Sequence, residues 1–112
     1  MKTEMLQGEV AIKDGAANLQ RGMEAVGGKL FLTNFRLVFE SHKFNIQAGA
    51  TIIPLVDISE TKFCWTKLLN LLPIAPNSLA VFTSKGKQHR FVLLGRNEWK
   101  LAIDGQKEQN AT

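Results

Sequence analysis

The sequence predicts a mainly β fold in which about seven short antiparallel strands are closed by one C-terminal α-helix. Apolar residues recur in short runs bounded by glycine, asparagine and proline, which is the pattern of strands joined by turns. The spacing changes only after Asn97, where Trp99, Ala102 and Ile103 follow the i, i+3, i+4 pattern of one helical face. Such a helix is placed to plug an open end of a β-sandwich, with Trp99 as the plug.

The first half of the chain contains five runs of strand-forming residues, at 9–19, 29–33, 35–41, 44–47 and 51–55. The glycine-rich stretch 20–28 is predicted to be a loop or an irregular hairpin, because glycine adopts backbone angles that other residues avoid. Asn34 predicts a tight turn. Leu30 and Leu32 share one strand face and Phe31 lies on the other, so these strands need cover on both faces, part of which a second subunit could supply.

The second half contains three strand runs, at 58–66, 78–83 and 89–94. The apolar segment 67–77, between the first two runs, is rich in turn-forming residues and is interpreted as a loop. Gly86 predicts the turn between the last two strands. The helix is expected over 97–104, with Asn97 as its N-cap and Gly105 as its stop signal.

The 112 residues fit one domain, which we assign to 1–105, with 106–112 as a polar C-terminal tail. The N-terminus lacks the apolar region of a signal peptide, and the longest nearly charge-free apolar stretch, 68–81, is too short for a membrane span. The one cysteine, Cys64, excludes an internal disulfide and fits a reducing compartment. We therefore expect a cytoplasmic protein, either free or peripheral at a membrane.

The charges are distributed unevenly along the chain, although the net charge is only +4. Residues 61–97 contain six basic side chains and no acidic one. A segment of one sign attracts phosphates or anionic lipids if the fold brings its charges together; the alternative is a set of ordinary solvated lysines. The candidate contacts for an anionic ligand are Lys62, Lys67, Lys85, Lys87 and Arg90.

The segment 65–74 is unusually apolar for the loop that we expect there. Its large apolar residues are Trp65, Leu68, Leu69, Leu71, Leu72 and Ile74. Loops normally run over the surface, so such a loop is covered by its own domain, by a protein partner or second subunit, or by a lipid interface. These six residues are the candidate interface.

No catalytic or cofactor site is expected. The glycines from Gly22 to Gly28, followed by Lys29, resemble a phosphate-binding P-loop, but Leu30 stands where that motif has Ser or Thr, and a strand follows instead of a helix. The chain contains one cysteine and two histidines, fewer than the four ligands typical of structural zinc. No sequence motif for nucleic-acid binding is present. We predict a non-enzymatic protein without metal or nucleotide.

One long motif carries a family resemblance. It reads Gly28-Lys-Leu-Phe-Leu-Thr-Asn-Phe-Arg-Leu-Val-Phe39 and resembles the central signature of GRAM domains. Three further segments fit the same family in order: Ile53-Pro-Leu-x-Asp-Ile58, then Leu72-Pro with Asn77-Ser-Leu79, then Gly86-Lys-x-x-x-Phe91 before the helix. The resemblance covers residues 8–104, almost the whole chain.

The resemblance implies the pleckstrin-homology (PH) superfold and a membrane-associated or protein-binding role, because some GRAM domains bind phosphoinositides or other anionic lipids. We therefore expect a non-catalytic binding module for a protein partner or a second copy of itself. The alternative is peripheral binding to anionic lipids or phosphoinositides. The apolar segment and the Gly86 turn should lie at opposite ends of the strand at 78–83, about 20 Å apart.

Overall fold

The computed structural model describes residues 1–22, 24–43, 49–68 and 72–110, apart from the side chains of 65–68 and 72–77. The strands are β1 (Ala11–Arg21), β2 (Glu24–Thr33), β3 (Arg36–Ser41), β4 (Thr51–Pro54), β5 (Ile58–Leu68), β6 (Leu72–Thr83) and β7 (Gln88–Leu93). A short 3-10 helix (Leu55–Asp57) links β4 to β5, and α1 (Arg96–Asn110) follows β7. The strands form one antiparallel sheet in the order β4-β3-β2-β1-β7-β6-β5. The predicted class, seven antiparallel strands and one C-terminal helix, is confirmed.

β1 and β2 form a hairpin through the glycine-rich stretch. Arg21 pairs with Glu24, and Gly22 makes the turn at a φ of 60°, which favours glycine. β2 thus begins at Glu24, earlier than the sequence predicted. Gly28 lies inside this strand, where a Cβ atom would come within 2.8 Å of the Phe39 ring and still closer to the β3 backbone. Close packing against β3 therefore requires glycine at this position.

β4 is a short edge strand that pairs only with β3 among the described residues. Its last residue is Pro54, which cannot donate a backbone hydrogen bond and therefore suits the end of an edge strand. The strand that we predicted at 44–47 lies outside the described residues.

The core draws side chains from all seven strands and from α1. The Phe39 and Phe91 rings meet in it, with their centroids 6.0 Å apart. Trp99 and Ile103 of α1 are both buried against the strands, as expected of a helix that plugs the sandwich. Seven apolar residues of the strands and the helix are each at most 5% exposed: Leu30, Leu32, Leu37, Phe39, Ile58, Phe91 and Trp99.

α1 is longer than the sequence predicted. It continues past Gly105 to Asn110, so most of the predicted polar tail, 106–112, is helical. Tertiary contacts hold the last turns: Lys107 Nζ donates to a carbonyl of β5 at 3.2 Å, and Asn110 Nδ2 donates to the Asn34 carbonyl at 2.8 Å. These contacts outweigh the cost of a glycine inside a helix, which is about 1 kcal/mol.

Basic side chains of α1 cover the free edge of β5. Lys100 Nζ donates to Thr61 O at 3.2 Å and Lys107 Nζ donates to Ser59 O at 3.2 Å. Arg96 Nη1 instead bridges the paired strands, with Cys64 O of β5 at 3.1 Å and Ser78 O of β6 at 3.5 Å. An edge strand otherwise presents unpaired carbonyls to solvent or to another chain. Arg96, one of the six basic residues in the acid-free segment, therefore has a structural role.

The predicted loop at 67–77 is wrong, because β5 and β6 continue into it as a hairpin. Their pairing extends to Leu68 and Leu72. The two prolines of β6 had indicated a loop. β7 pairs with β6 only from Ser78 onward, so neither proline lies where a backbone N–H would have to donate to β7. We call residues 65–77 the β5–β6 arm, since only two strands form it.

The N-terminal segment, residues 2–9, crosses the outer face of β3, opposite the core. Glu40 is on that face, and its carboxylate accepts hydrogen bonds from Lys2 N at 3.1 Å and from Thr3 N at 2.7 Å. Val38, on the same face, has no exposed surface and lies outside the main core cluster. The N-terminal segment of the same chain thus covers this outer face of β3. From the sequence, a second subunit was one candidate for that cover.

The polar residues of the central signature fasten this segment. Thr33 Oγ1 donates to Glu9 Oε2 at 2.7 Å, and Asn34 Oδ1 accepts from Val10 N at 2.7 Å. Arg36 donates two hydrogen bonds to the Glu9 carboxylate, one from Nε and one from Nη2. The Arg36 hydrogen bonds lower the pKa of Glu9 to about 2, although burial of the carboxylate opposes its ionisation.

Candidate functional site

A groove of about 290 Å³ lies between the β6–β7 turn and β4. The turn is shaped by Gly86 at a φ of 83° and by bonds between Thr83 and Lys87, of which the Thr83 N to Lys87 O distance is 2.9 Å. Lys85 and Lys87 are exposed on this turn and line the groove, together with half-buried His89 at the start of β7. The turn therefore brings two of the five predicted anion contacts to one site.

The opposite wall of the groove comes from β4 and the 3-10 helix, with Thr51 and Asp57 among its residues. Arg21, at the end of β1, donates from Nη2 to Thr51 Oγ1 at 3.2 Å. This bond places a further cation at the rim. Asp57 is an acid within the wall and offsets part of the positive charge.

His89 is the titratable group whose protonation responds to an occupant of this groove. Burial, and then the positive charge of Lys87, lower the pKa of His89 below its usual 6.5. The imidazole is thus neutral near pH 7 in the free protein. A bound anion would reverse the effect of Lys87 and favour the charged imidazolium.

The other predicted anion contacts lie elsewhere. Lys62 and Arg90 both pair with Ala80, so they form one row on the outer face of the sheet. Lys62 Nζ lies 3.6 Å from the Glu60 carboxylate, and the buried Arg90 Nε has no hydrogen-bond partner among the described residues. Lys67 belongs to the arm, and its side chain lies outside the described residues.

The candidate interface falls on the arm. Leu69 and Leu71 lie outside the described residues, as do the side chains of Trp65, Leu68, Leu72 and Ile74. The backbone places these last four residues on the two paired strands of the arm. Whether the arm forms an interface stays a prediction.

Sequence reasoning missed two residues of the groove, Arg21 and His89. Arg21 is far from His89 along the chain; the pairing of Gln20 with Arg90 brings the end of β1 beside the start of β7, and Arg21 there bonds to Thr51 of β4. For His89 a signal was present, since alternation along a strand that begins at Gln88 puts it on the same side as Lys87.

The described residues show no arrangement suited to catalysis. Burial raises the pKa of the Cys64 thiol, which keeps it protonated and unreactive. No group of three His, Cys, Asp or Glu side chains in the described ranges is placed to hold a metal ion. Over the same part of the chain, no helix is long and apolar enough to cross a membrane.

Comparison with solved structures places the fold among PH domains. The Vps36 N-terminal PH domain superposes with a TM-score of 0.75 at 16% identity, covering 96% of this chain and 86% of that one. The N-terminal PH domain of human ARAP2 gives 0.68 at 14% identity, with 98% and 88% covered. The C-terminal domain of an unknown protein from Leishmania infantum gives 0.74 at 20%, with 90% and 86% covered.

Among curated proteins, no sequence matches the chain. The family model for the GRAM domain does match it, over residues 1–102. That range contains the signature, the groove and the first half of α1. GRAM and PH-like domains are generally non-catalytic binding modules. The chain therefore belongs to the GRAM domain family.

Proposed function

We propose that this protein attaches to anionic membrane surfaces, with the groove between β4 and the β6–β7 turn as its headgroup site. The observation that carries the proposal is the convergence of Lys85, Lys87 and His89 on one groove, with Arg21 bonded to Thr51 at its rim. The PH-like fold and the GRAM family supply context, since such domains are often membrane- or lipid-related. The lipid itself is not specified by this cluster, because lysine and arginine recognise phosphate in general.

The charge at the groove supplies a weak, reversible attraction to an anionic surface. Each basic residue near an anionic surface contributes about 1 kcal/mol, so Arg21, Lys85 and Lys87 supply roughly 3 kcal/mol before Asp57 is subtracted. Such attraction falls off over a Debye length, about 8 Å at physiological ionic strength. Binding should therefore be weak for one molecule and sensitive to salt.

Co-sedimentation with vesicles tests the proposal. The protein should pellet with phosphatidylcholine vesicles that contain phosphatidylserine or a phosphoinositide, and remain in solution with phosphatidylcholine alone. Raising the salt from about 0.1 M to about 1 M shortens the Debye length from about 10 Å to about 3 Å and should release it. Equal binding to neutral and anionic vesicles, or no binding to either, would refute an anionic attachment site.

A second candidate function is a protein interface or self-association through the arm. The arm is a two-stranded ribbon that β7 does not reach, and six of its residues are large and apolar. Two-stranded ribbons are marginal alone, so such an arm needs cover from a neighbour. β6 has 12 residues and spans about 40 Å, so the arm and the groove lie at opposite ends of that strand. The two functions are therefore compatible.

A further inference from the structure

β1 has a free backbone edge over its first six residues. It pairs with β2 along its length, but with β7 only from Ala17 to Gln20. β7 ends at Leu93, and the chain then turns at Gly95, with a φ of 69°, into α1. Among the described residues, no strand lies beside 11–16 on this side of β1.

The pairing pattern shows which backbone groups face the open side. Gly27 O accepts a hydrogen bond from the amide that follows β3, so the Gly27 backbone faces β3 and that of Gly28 faces β1. Gly28 pairs with Ala17, whose backbone therefore faces β2. By alternation, the amide and carbonyl of Asp14 and the amide of Ala16 face the open side, whereas the Ala16 carbonyl lies beside Leu94, next to the last β1–β7 pair.

A slot of about 520 Å³ lies along this edge, within the range of about 300–1,000 Å³ typical of ligand sites. The Trp99 ring closes it near Gly15, 3.5 Å from where a Cβ atom of that glycine would lie. Gly15, Ala16 and Ala17 put almost no side-chain bulk into it. Leu94, also in its lining, is 88% exposed.

We propose that this slot docks an extended peptide segment of a partner protein, which adds to the sheet as a strand beside β1. Alternating amides and carbonyls along an open edge are matched by another extended backbone and not by a lipid headgroup. The absence of a side chain at Gly15 lets that backbone approach. The inference is independent of the groove at the β6–β7 turn.

The side chains around the slot indicate the chemistry of the peptide. Lys13 Nζ lies 5.3 Å from the centroid of the Trp99 ring, and it belongs to none of the ion pairs found among the described residues. An acidic residue of the peptide would pair with it. Leu94, which is 88% exposed and by alternation lies on the opposite face, offers apolar surface to the neighbouring peptide position. The preferred segment thus alternates acidic and apolar residues.

The test removes one backbone donor. Ala16→Pro deletes the amide that faces the slot, while the bonds of β1 to β2 remain, so the edge should tolerate it. Ala16→Val keeps the amide and adds side-chain bulk, and serves as the matched control. A random octapeptide library displayed on phage is selected on the wild-type protein, and the enriched peptides are synthesised with and without N-methylated backbone amides.

We expect enriched peptides to bind the wild type and Ala16→Val within about twofold of each other and Ala16→Pro about fivefold more weakly, which is the worth of the one hydrogen bond removed. N-methylation of the peptide's backbone amides should abolish binding. This result tests whether the peptide adds as a strand, even if Ala16→Pro fails to fold. The amide resonances of Asp14 and Ala16 should shift. No enrichment, or binding indifferent to N-methylation, would overturn the proposal. A wild-type dimer that Ala16→Pro dissociates would also overturn it, in favour of a second copy.

Discussion

Arg36 and Glu9 form a buried two-point ion pair, with 2.8 Å between Arg36 Nε and Glu9 Oε2 and 2.9 Å between Nη2 and Oε1. The pair joins β3 to the N-terminal segment, and Arg36 Nη2 also donates to the Glu4 carbonyl at 2.8 Å. The arginine of the central signature thus holds the fold together. Arg36 is therefore not free to meet a ligand.

Removing Arg36 alone should lower the free energy of unfolding more than removing both members of the Arg36–Glu9 ion pair. Arg36→Met leaves the Glu9 carboxylate buried without a counterion, and the free energy of unfolding should fall by about 3–5 kcal/mol. The double variant Glu9→Gln with Arg36→Met should recover part of that loss, because no buried charge then remains. Urea unfolding at pH 7 measures both. A double variant no more stable than Arg36→Met alone would show that the lost contacts, and not the unpaired charge, decide the stability.

The same pair should make the protein sensitive to acid. The pKa of Glu9 is about 2 in the folded chain against an ordinary 4.5, so its contribution to stability is present above pH 4.5 and is lost as the pH falls toward 2. The expected loss is about 3 kcal/mol at 1.36 kcal/mol per pKa unit. Hydrogen bonds from Thr3 and Lys2 overcome the burial of Glu40 and lower its pKa too, which adds to the loss. Unfolding at pH 7 and pH 3 should show a smaller loss for Glu9→Gln with Arg36→Met than for the wild type.

The sequence was sufficient for the fold class, for most of the elements and for the core, because those follow from local periodicity. Alternation along the strands agrees with the burial of Leu30, Leu32 and Leu37. The change from strand to helical spacing predicted α1 and its buried Trp99. It failed where distant contacts override local signals. Gly105 did not stop the helix, since Asn110 binds Asn34 across the fold.

The candidate site was predictable only in part, for the same reason. Lys85 and Lys87 are neighbours in the chain, so the turn that joins them was visible in the sequence. Arg21 joins them through Thr51, a contact that depends on how β4 closes against the β6–β7 turn. The signature did not indicate that Arg36 forms an ion pair with Glu9, because Glu9 lies 27 residues away along the chain.

The arm prediction is tested by the mass of the protein in solution. If the arm is an interface, Leu68→Asp with Leu71→Asp should dissociate a dimer or a partner complex, because charges at a covered apolar surface lose their hydration. Lys85→Glu with Lys87→Glu, at the other end of β6, should leave that assembly intact. Sedimentation over a range of concentrations gives the answer. A wild type that stays monomeric, with no partner complex disturbed by the arm variant, would end this interpretation.

His89 should make vesicle binding depend on pH. An anion in the groove stabilises the imidazolium form of His89. Affinity for phosphatidylserine vesicles should therefore rise as the pH falls from about 7.5 to about 5.5. The rise is up to tenfold for each unit by which the pKa of His89 in the bound state exceeds that in the free state. His89→Gln should bind with nearly constant affinity over that interval. Phosphatidylserine is the suitable lipid, because phosphate monoesters titrate near pH 6 themselves. An equally steep pH profile in His89→Gln would assign the effect to another group.

The most direct test of the groove as the membrane site is vesicle affinity after matched charge reversals. Lys85→Glu with Lys87→Glu changes the charge in the groove, and Lys2→Glu with Lys62→Glu changes it equally outside. We expect the first pair to weaken binding to phosphatidylserine vesicles at least about tenfold, since about 1 kcal/mol per basic residue is replaced by repulsion, and the second pair to stay within about threefold of the wild type. Equal losses for the two pairs, or no loss from the first, would contradict the assignment of the groove.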